Sequence, residues 1–173
     1  QQVLWPPLQR QLVRDRLLPR GRLSGETIDV MSLVEQQEFE DEVLIALLPV
    51  LQEWDESVTP ALTDRDNHMT ENQNVLMSSM TTMDATVGID VLKTQGKLAE
   101  AVRDINDNAI ENIVLLLPVD KSIEFDAFAK ERGYPRIFRP TRTDRAFKAA
   151  MELENLEADI LQAITDLYDS LQI

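Results

Sequence analysis

The stretch that decides the fold is Phe39–Val58, FEDEVLIALLPVLQEWDESV. Its apolar residues recur at steps of three or four: Phe39, Val43, Leu47, Val50, Trp54 and Val58. This spacing places them on one face of an α-helix. Acidic residues crowd the start of the stretch, where the partial positive charge of a helix N-terminus favours them. The pattern therefore predicts an amphipathic helix with one buried face.

Proline, glycine and threonine predict the helix boundaries on either side of this stretch. Thr59–Pro60 predicts a new helix, because threonine caps a helix and proline suits its first position. Gly88 or Gly96 predicts a turn. Thr143 predicts the cap of one last helix, whose apolar residues fit a bundle-core stripe or a short partner-binding zipper. Those residues are Leu153, Leu156, Ile160, Ala163 and Leu167.

Composition supports a helical fold throughout the chain. The 173 residues include only five glycines, and aromatic residues make up 5%. All-β folds need more turn glycines and more aromatic residues than this. We predict an all-α fold: a helical bundle of four to five principal helices over residues 24–173, with a Pro/Arg-rich loop before the last helix. No apolar run approaches the roughly 18 residues of a membrane-spanning helix.

Residues 1–23 are predicted to form a basic, extended N-terminal arm. Pro6, Pro7 and Pro19 interrupt the segment, so it should hold no more than two or three helical turns. Trp5 and several leucines favour packing of the arm, because burial removes their apolar surface from water. The arm is expected to pack on its own domain or on a neighbouring chain.

Charge is distributed unevenly along this acidic chain. The formal net charge is −14, yet residues 1–22 carry five arginines and a single acid. Residues 23–131 carry 23 acids and six cations. Such an acidic body repels nucleic acid over most of its surface, and anions are attracted only at the arginine-rich segments.

The second cationic segment is Arg132–Lys148, RGYPRIFRPTRTDRAFK, in which Asp144 is the single acid. Pro135 and Pro140 predict that its first half is an irregular loop. The planar guanidinium group of arginine matches the geometry of both carboxylate and phosphate, and aromatic rings can stack on nucleic-acid bases. Three interpretations stay open: pairing with acids of the body or of another subunit, binding of nucleic acid, or a solvated loop. The candidate binding residues are Arg132, Arg136, Phe138, Arg139, Arg142, Arg145 and Lys148, with Arg10, Arg14, Arg16, Arg20 and Arg22 in the arm.

Catalytic and metal-binding patterns are weak. The absence of cysteine excludes disulfides, thiolate metal sites and cysteine nucleophiles. Asp64, His68 and Glu71 have a spacing that permits metal ligation on one helix face, but a solvated face gives the same pattern. One histidine is too few for the paired Glu-x-x-His of di-metal bundles. We predict no catalytic residue, no bound metal and no cofactor.

These observations favour a non-enzymatic structural subunit of a larger assembly. Its arginine-rich arm and loop would dock on acidic faces of neighbouring subunits, either copies of itself or other protein chains. A nucleic-acid-binding protein, such as a viral coat or nucleoprotein, is the alternative that uses the same arginines. A helical sensor or adaptor domain of a longer protein is a third.

Overall fold

The computed structural model describes residues 5–82, 85–153 and 156–171. All regular secondary structure in these ranges is helical, which confirms the all-α prediction. Four of the described helices of residues 24–173 have 13 or more residues, in agreement with the predicted four to five principal helices. The helices are α1 (Trp5–Leu17), α2 (Val30–Glu35), α3 (Asp41–Glu71), α4 (Gln73–Thr82), α5 (Ala85–Leu116), α6 (Val119–Gly133), α7 (Pro135–Phe138), α8 (Arg142–Met151) and α9 (Ala158–Leu171).

The chain divides into two compact units, Gln1–Pro135 and Arg136–Ile173. The first contains α1 to α6, and the second contains α8 and α9 packed on each other. Within the described residues, no helix is both long enough and apolar enough to cross a membrane.

The core of the first unit lies along α3 and α5, which run antiparallel. Trp54 bonds Asn106, whereas His68, later on α3, contacts Val91, earlier on α5. The predicted stripe of α3 supplies the buried Leu47, Trp54 and Val58. From α5 and α6 come the buried side chains of Val102, Ala109, Ile110, Ile113, Phe125 and Ala129.

The predicted boundary at Thr59–Pro60 is wrong, because α3 continues through Pro49 and Pro60 to Glu71. Pro60 lacks the N–H group that would bond the preceding turn. The Thr59 and Thr63 hydroxyls donate to the carbonyls of Asp55 and Thr59, at 2.7 and 2.9 Å, beside this gap. Buried residues on both sides of Pro60 hold the two halves against the core, so packing outweighs the local cost of the proline.

The predicted turn at Gly88 or Gly96 is also wrong, since α5 runs unbroken from Ala85 to Leu116. Gly88 instead permits a close approach between α4 and α5. A Cβ atom there would lie 2.7 Å from the Ser79 hydroxyl oxygen. Close packing between α4 and α5, rather than a turn, therefore explains why a glycine suits this position.

The N-terminal segment is more ordered than the predicted extended arm. Helix α1 spans 13 residues and is followed by a 3₁₀ turn at Leu18–Arg20. Pro6 and Pro7 fall in the first turn of α1, where the backbone N–H groups have no partner within the helix. Leu17 and Leu18 are buried, and α1 packs along α3. Residues 1–4 of this segment lie outside the described residues.

The loop between α1 and α2 is fixed by buried hydrogen bonds. The Trp54 indole donates to Asn106 Oδ1 over 2.8 Å, and the Asn106 amide donates to the Gly25 carbonyl over 2.8 Å. The Gly25 N–H in turn donates to the Gly133 carbonyl over 2.7 Å. Gly25 has a φ of +81°, which glycine adopts without strain. The loop thus joins α3, α5 and α6.

The predicted single last helix is two helices, and Thr143 is not its cap. Thr141 caps α8: its hydroxyl accepts from the Asp144 N–H, and the Asp144 carboxylate accepts from the Thr141 N–H. This reciprocal capping box satisfies two free donors at the helix start. Helix α8 ends at Met151, and α9 packs back on it. Two short amphipathic helices can bury their apolar faces against each other, which one straight helix cannot do.

Candidate docking site

The arginines of the N-terminal segment lie on the acidic side of α3. Arg10 Nε and Arg14 Nη1 both form ion pairs with the carboxylate of Asp55. Arg14 and Asp55 are only 5% and 4% exposed. The Arg14 guanidinium also lies over the Trp54 ring, with Cζ 5.3 Å from the ring centroid. These contacts attach α1 to the centre of α3.

Burial changes the electrostatics of Arg14. Desolvation lowers its pKa below the ordinary arginine value, whereas attraction to Asp29 and Asp15 acts in the opposite direction. Removal of one partner from a buried pair leaves an uncompensated charge, which is far more costly than loss of an exposed pair. The buried Arg14–Asp55 pair is therefore more important for the packing of α1 on α3 than an exposed ion pair would be.

A second buried ion pair holds the following loop. Arg65 on α3 pairs with Glu26, and the two residues are 3% and 2% exposed. Glu26 Oε2 accepts from the N–H groups of Arg22 and Leu23 at 2.8 and 2.9 Å. Arg65 also donates to the Leu17 carbonyl. The carboxylate of Glu26 thus serves as an internal anchor for the backbone.

The remaining arm arginines are closer to solvent. Arg20 pairs with Asp66 at 2.6 Å, with more than half of the arginine side chain exposed. The side chains of Arg16 and Arg22 are exposed. Three of the five arm arginines predicted to bind a partner are therefore paired with α3 of the same chain.

The second cationic segment is divided between the two units. Arg132 lies at the end of α6, where its guanidinium Cζ is 5.1 Å from the Phe128 ring centroid. Its Nη2 donates to Gln36 over 3.3 Å. The predicted irregular loop contains one helical turn, α7, and is non-helical from Arg139 to Thr141.

The remaining cations of this segment belong to the second unit and are exposed. No carboxylate among the described residues of the second unit forms an ion pair with Arg136, Arg139, Arg142 or Arg145. Asp144 is used by the capping box, and its bonds to the Thr141 hydroxyl and backbone lower its pKa. We name residues 136–148 the cationic segment; its cations are Arg136, Arg139, Arg142, Arg145 and Lys148.

The aromatic residues of the cationic segment have different surroundings. The Phe147 ring packs on Tyr168 of α9, with the ring centroids 5.4 Å apart. This contact joins α8 to α9 and takes Phe147 out of use as a stacking platform. Phe138 is about half exposed. The second unit also leaves several large apolar side chains exposed: Leu153, Ile160, Leu161, Leu167 and Leu171.

An exposed acidic cluster surrounds the junction of α2 and α3 in the first unit. None of its carboxylates forms an ion pair with a cation among the described residues of the first unit. Glu38 has a φ of +49°, in the left-handed region, so the turn there is sharp. We name this group the acidic cluster: Glu35, Glu38, Glu40, Asp41 and Glu42.

His68 takes part in helix contacts. Its Nε2 lies 3.1 Å from the Val91 carbonyl, and its Nδ1 lies 3.3 Å from the Asn72 amide. In the part of the chain that the structure describes, no three His, Asp or Glu side chains are placed to hold a metal ion.

The buried carboxylates Glu26 and Asp55 are the main features that sequence reasoning missed. Arg65 carried a usable signal, because it lies three residues after the buried Leu62, on the same helical face. A charge on an apolar face implies a buried partner. Its partner lies 39 residues away, and no local spacing identifies it.

Comparison of the chain with protein-family models, curated proteins and solved structures finds no match.

Proposed function

We propose that the protein is a non-enzymatic assembly subunit that docks through the cationic segment onto acidic surfaces of neighbouring subunits. The observation that carries the proposal is the contrast in pairing among the cations. Three of the five arm arginines are paired inside the first unit, whereas the arginines of the cationic segment have no acidic partner among the described residues of the second unit.

The acidic cluster is the complementary surface that we assign to this docking. It presents five exposed carboxylates within eight residues, and the cationic segment presents five cations within 13. A single exposed pair contributes only about 0–1 kcal/mol. Several pairs in a defined arrangement set the register and the choice of partner.

Apolar surface beside the cations supports a protein partner rather than nucleic acid. Leu167 and Leu171 are more than half exposed on α9. Protein interfaces combine an apolar centre with a polar rim, whereas nucleic acid offers mainly phosphate and base surfaces. The ring of Phe147 is also engaged within the unit.

The test reverses three charges and measures self-association. In the variant R136E/R139E/R142E, we expect loss of the oligomers seen by size-exclusion chromatography with light scattering at low salt. The matched control R16E/K93E/K97E has the same net charge and exposed positions in the first unit. It should associate as the wild-type protein does.

A charge-swapped protein identifies the acidic partner. E35K/E38K/E40K alone should lose association, and its combination with R136E/R139E/R142E should restore it. A wild-type protein that is monomeric at all concentrations and salt levels would overturn the proposal. Nucleic acid that co-purifies, raises the 260/280 nm absorbance ratio and is lost in R136E/R139E/R142E would favour the nucleic-acid alternative.

A further inference from the structure

A groove in the first unit lies where α1 crosses the start of α2 and the middle of α3. Its volume is about 420 Å³, and most of its accessible lining surface is apolar. The lining residues are Pro7, Leu8, Gln11, Arg14, Met31 and Asp55. Sites for small ligands have volumes of roughly 300–1,000 Å³. Pro7, Leu8 and Gln11 are exposed and form the edge, while Arg14 and Asp55 are buried.

The buried end of the groove holds the guanidinium group of Arg14 and the carboxylate of Asp55. Two guanidinium groups, those of Arg10 and Arg14, share the single carboxylate of Asp55. Glu56 lies 4.0 Å from Arg10 and is half exposed. Asp29 and Asp15 act on Arg14 only through longer-range attraction. These acids already balance the charge of Arg10 and Arg14, so the feature that points to a ligand is the hydrogen bonding of Arg14. A guanidinium N–H group forms a stronger hydrogen bond with a carboxylate oxygen than with a neutral oxygen.

Arg14 also has a donor without an acceptor. Its Nε is buried, and no atom of the described residues accepts its hydrogen. Among the residues that the structure describes, the partner of its Nη2 is the Met31 sulfur, at 3.4 Å. Buried donors in folded proteins are normally satisfied. A ligand oxygen at this place would satisfy the N–H group.

We propose that this groove binds a small amphiphilic carboxylate. One carboxylate oxygen accepts from Arg14 Nε, and the hydrocarbon chain lies along Pro7, Leu8 and Met31. A monoanion fits better than phosphate, because Asp55 also lines the groove and repels a second negative charge. This site does not depend on the docking of subunits.

Octanoate is the probe for this site. Calorimetric titration at neutral pH should show one saturable site with a Kd below about 1 mM. Acetate lacks the hydrocarbon chain and octanol lacks the charge, so each should bind at least about tenfold more weakly. Octanol binding as tight as octanoate binding would overturn the assigned role of Arg14.

Two variants on the same helix locate the site. Leu8→Glu places a negative charge at the groove, and Leu12→Glu places one on α1 outside its lining. Both residues are exposed, so neither substitution removes core packing. Leu8→Glu should weaken octanoate at least about tenfold, and Leu12→Glu less than about twofold. Equal effects of the two variants, or no saturable binding to the wild-type protein, would refute the site.

Discussion

The two arginine-rich regions have similar composition and opposite structural roles. The N-terminal region lies beside α3, where Asp55 and Asp66 meet its arginines in register. The cationic segment continues into the capped helix α8, whose local acid, Asp144, is already used by the backbone. The difference shows that an arginine becomes structural when a carboxylate lies opposite it on a packed helix.

The largest expected effect comes from removing the shared carboxylate of the N-terminal region. Asp55→Asn leaves buried Arg14 without a charge partner and should lower the free energy of unfolding by about 3–5 kcal/mol. Urea denaturation followed by circular dichroism measures this change. Glu56→Gln, at the exposed neighbour, should cost less than about 1 kcal/mol. Equal effects of the two substitutions would remove the distinction between the two arginine-rich regions.

A smaller effect tests whether backbone geometry also holds the N-terminal region. Gly25→Ala introduces a Cβ atom 2.7 Å from the Tyr134 hydroxyl at a residue with φ of +81°. Strain at such a position costs about 1–3 kcal/mol. Urea denaturation followed by circular dichroism also measures this loss of stability.

Gly96→Ala is the matched control for this prediction. No atom lies within 4 Å of a Cβ built at Gly96, which is inside α5. Alanine in a helix is favoured over glycine by about 0.5–1 kcal/mol. Gly96→Ala should therefore stabilise the protein, and a loss of stability would contradict the continuous helix.

The smallest effect concerns the N-terminal cap of α8 in the cationic segment. Thr141→Ala removes the hydroxyl that accepts from the Asp144 N–H and should cost about 1 kcal/mol of helix stability. Amide hydrogen exchange in α8 measures the local change. Thr143→Ala, inside the helix, should change the exchange little or slow it, because alanine is the better helix former. The reverse order would restore Thr143 as the cap.

Periodicity predicted the fold class correctly because helix formation leaves a local signal. The apolar steps of Phe39–Val58 identified the buried face of α3, and Trp54 and Val58 are core residues. Local signals failed at Pro60 and Gly96, where packing along α3 and α5 outweighs local propensity. The capping box at Thr141 and Asp144 could have been read from sequence, since its two residues are three apart.

The sequence by itself determined an all-α chain, an acidic body and two arginine-rich segments. These properties depend on residue type and on spacing within one or two turns. Only the tertiary structure decided that Arg14 is buried against Asp55 and that Glu26 meets Arg65. These pairs join residues about 40 positions apart, and their contact depends on how whole helices pack. The same packing gives Arg14 a donor without an acceptor beside an apolar groove.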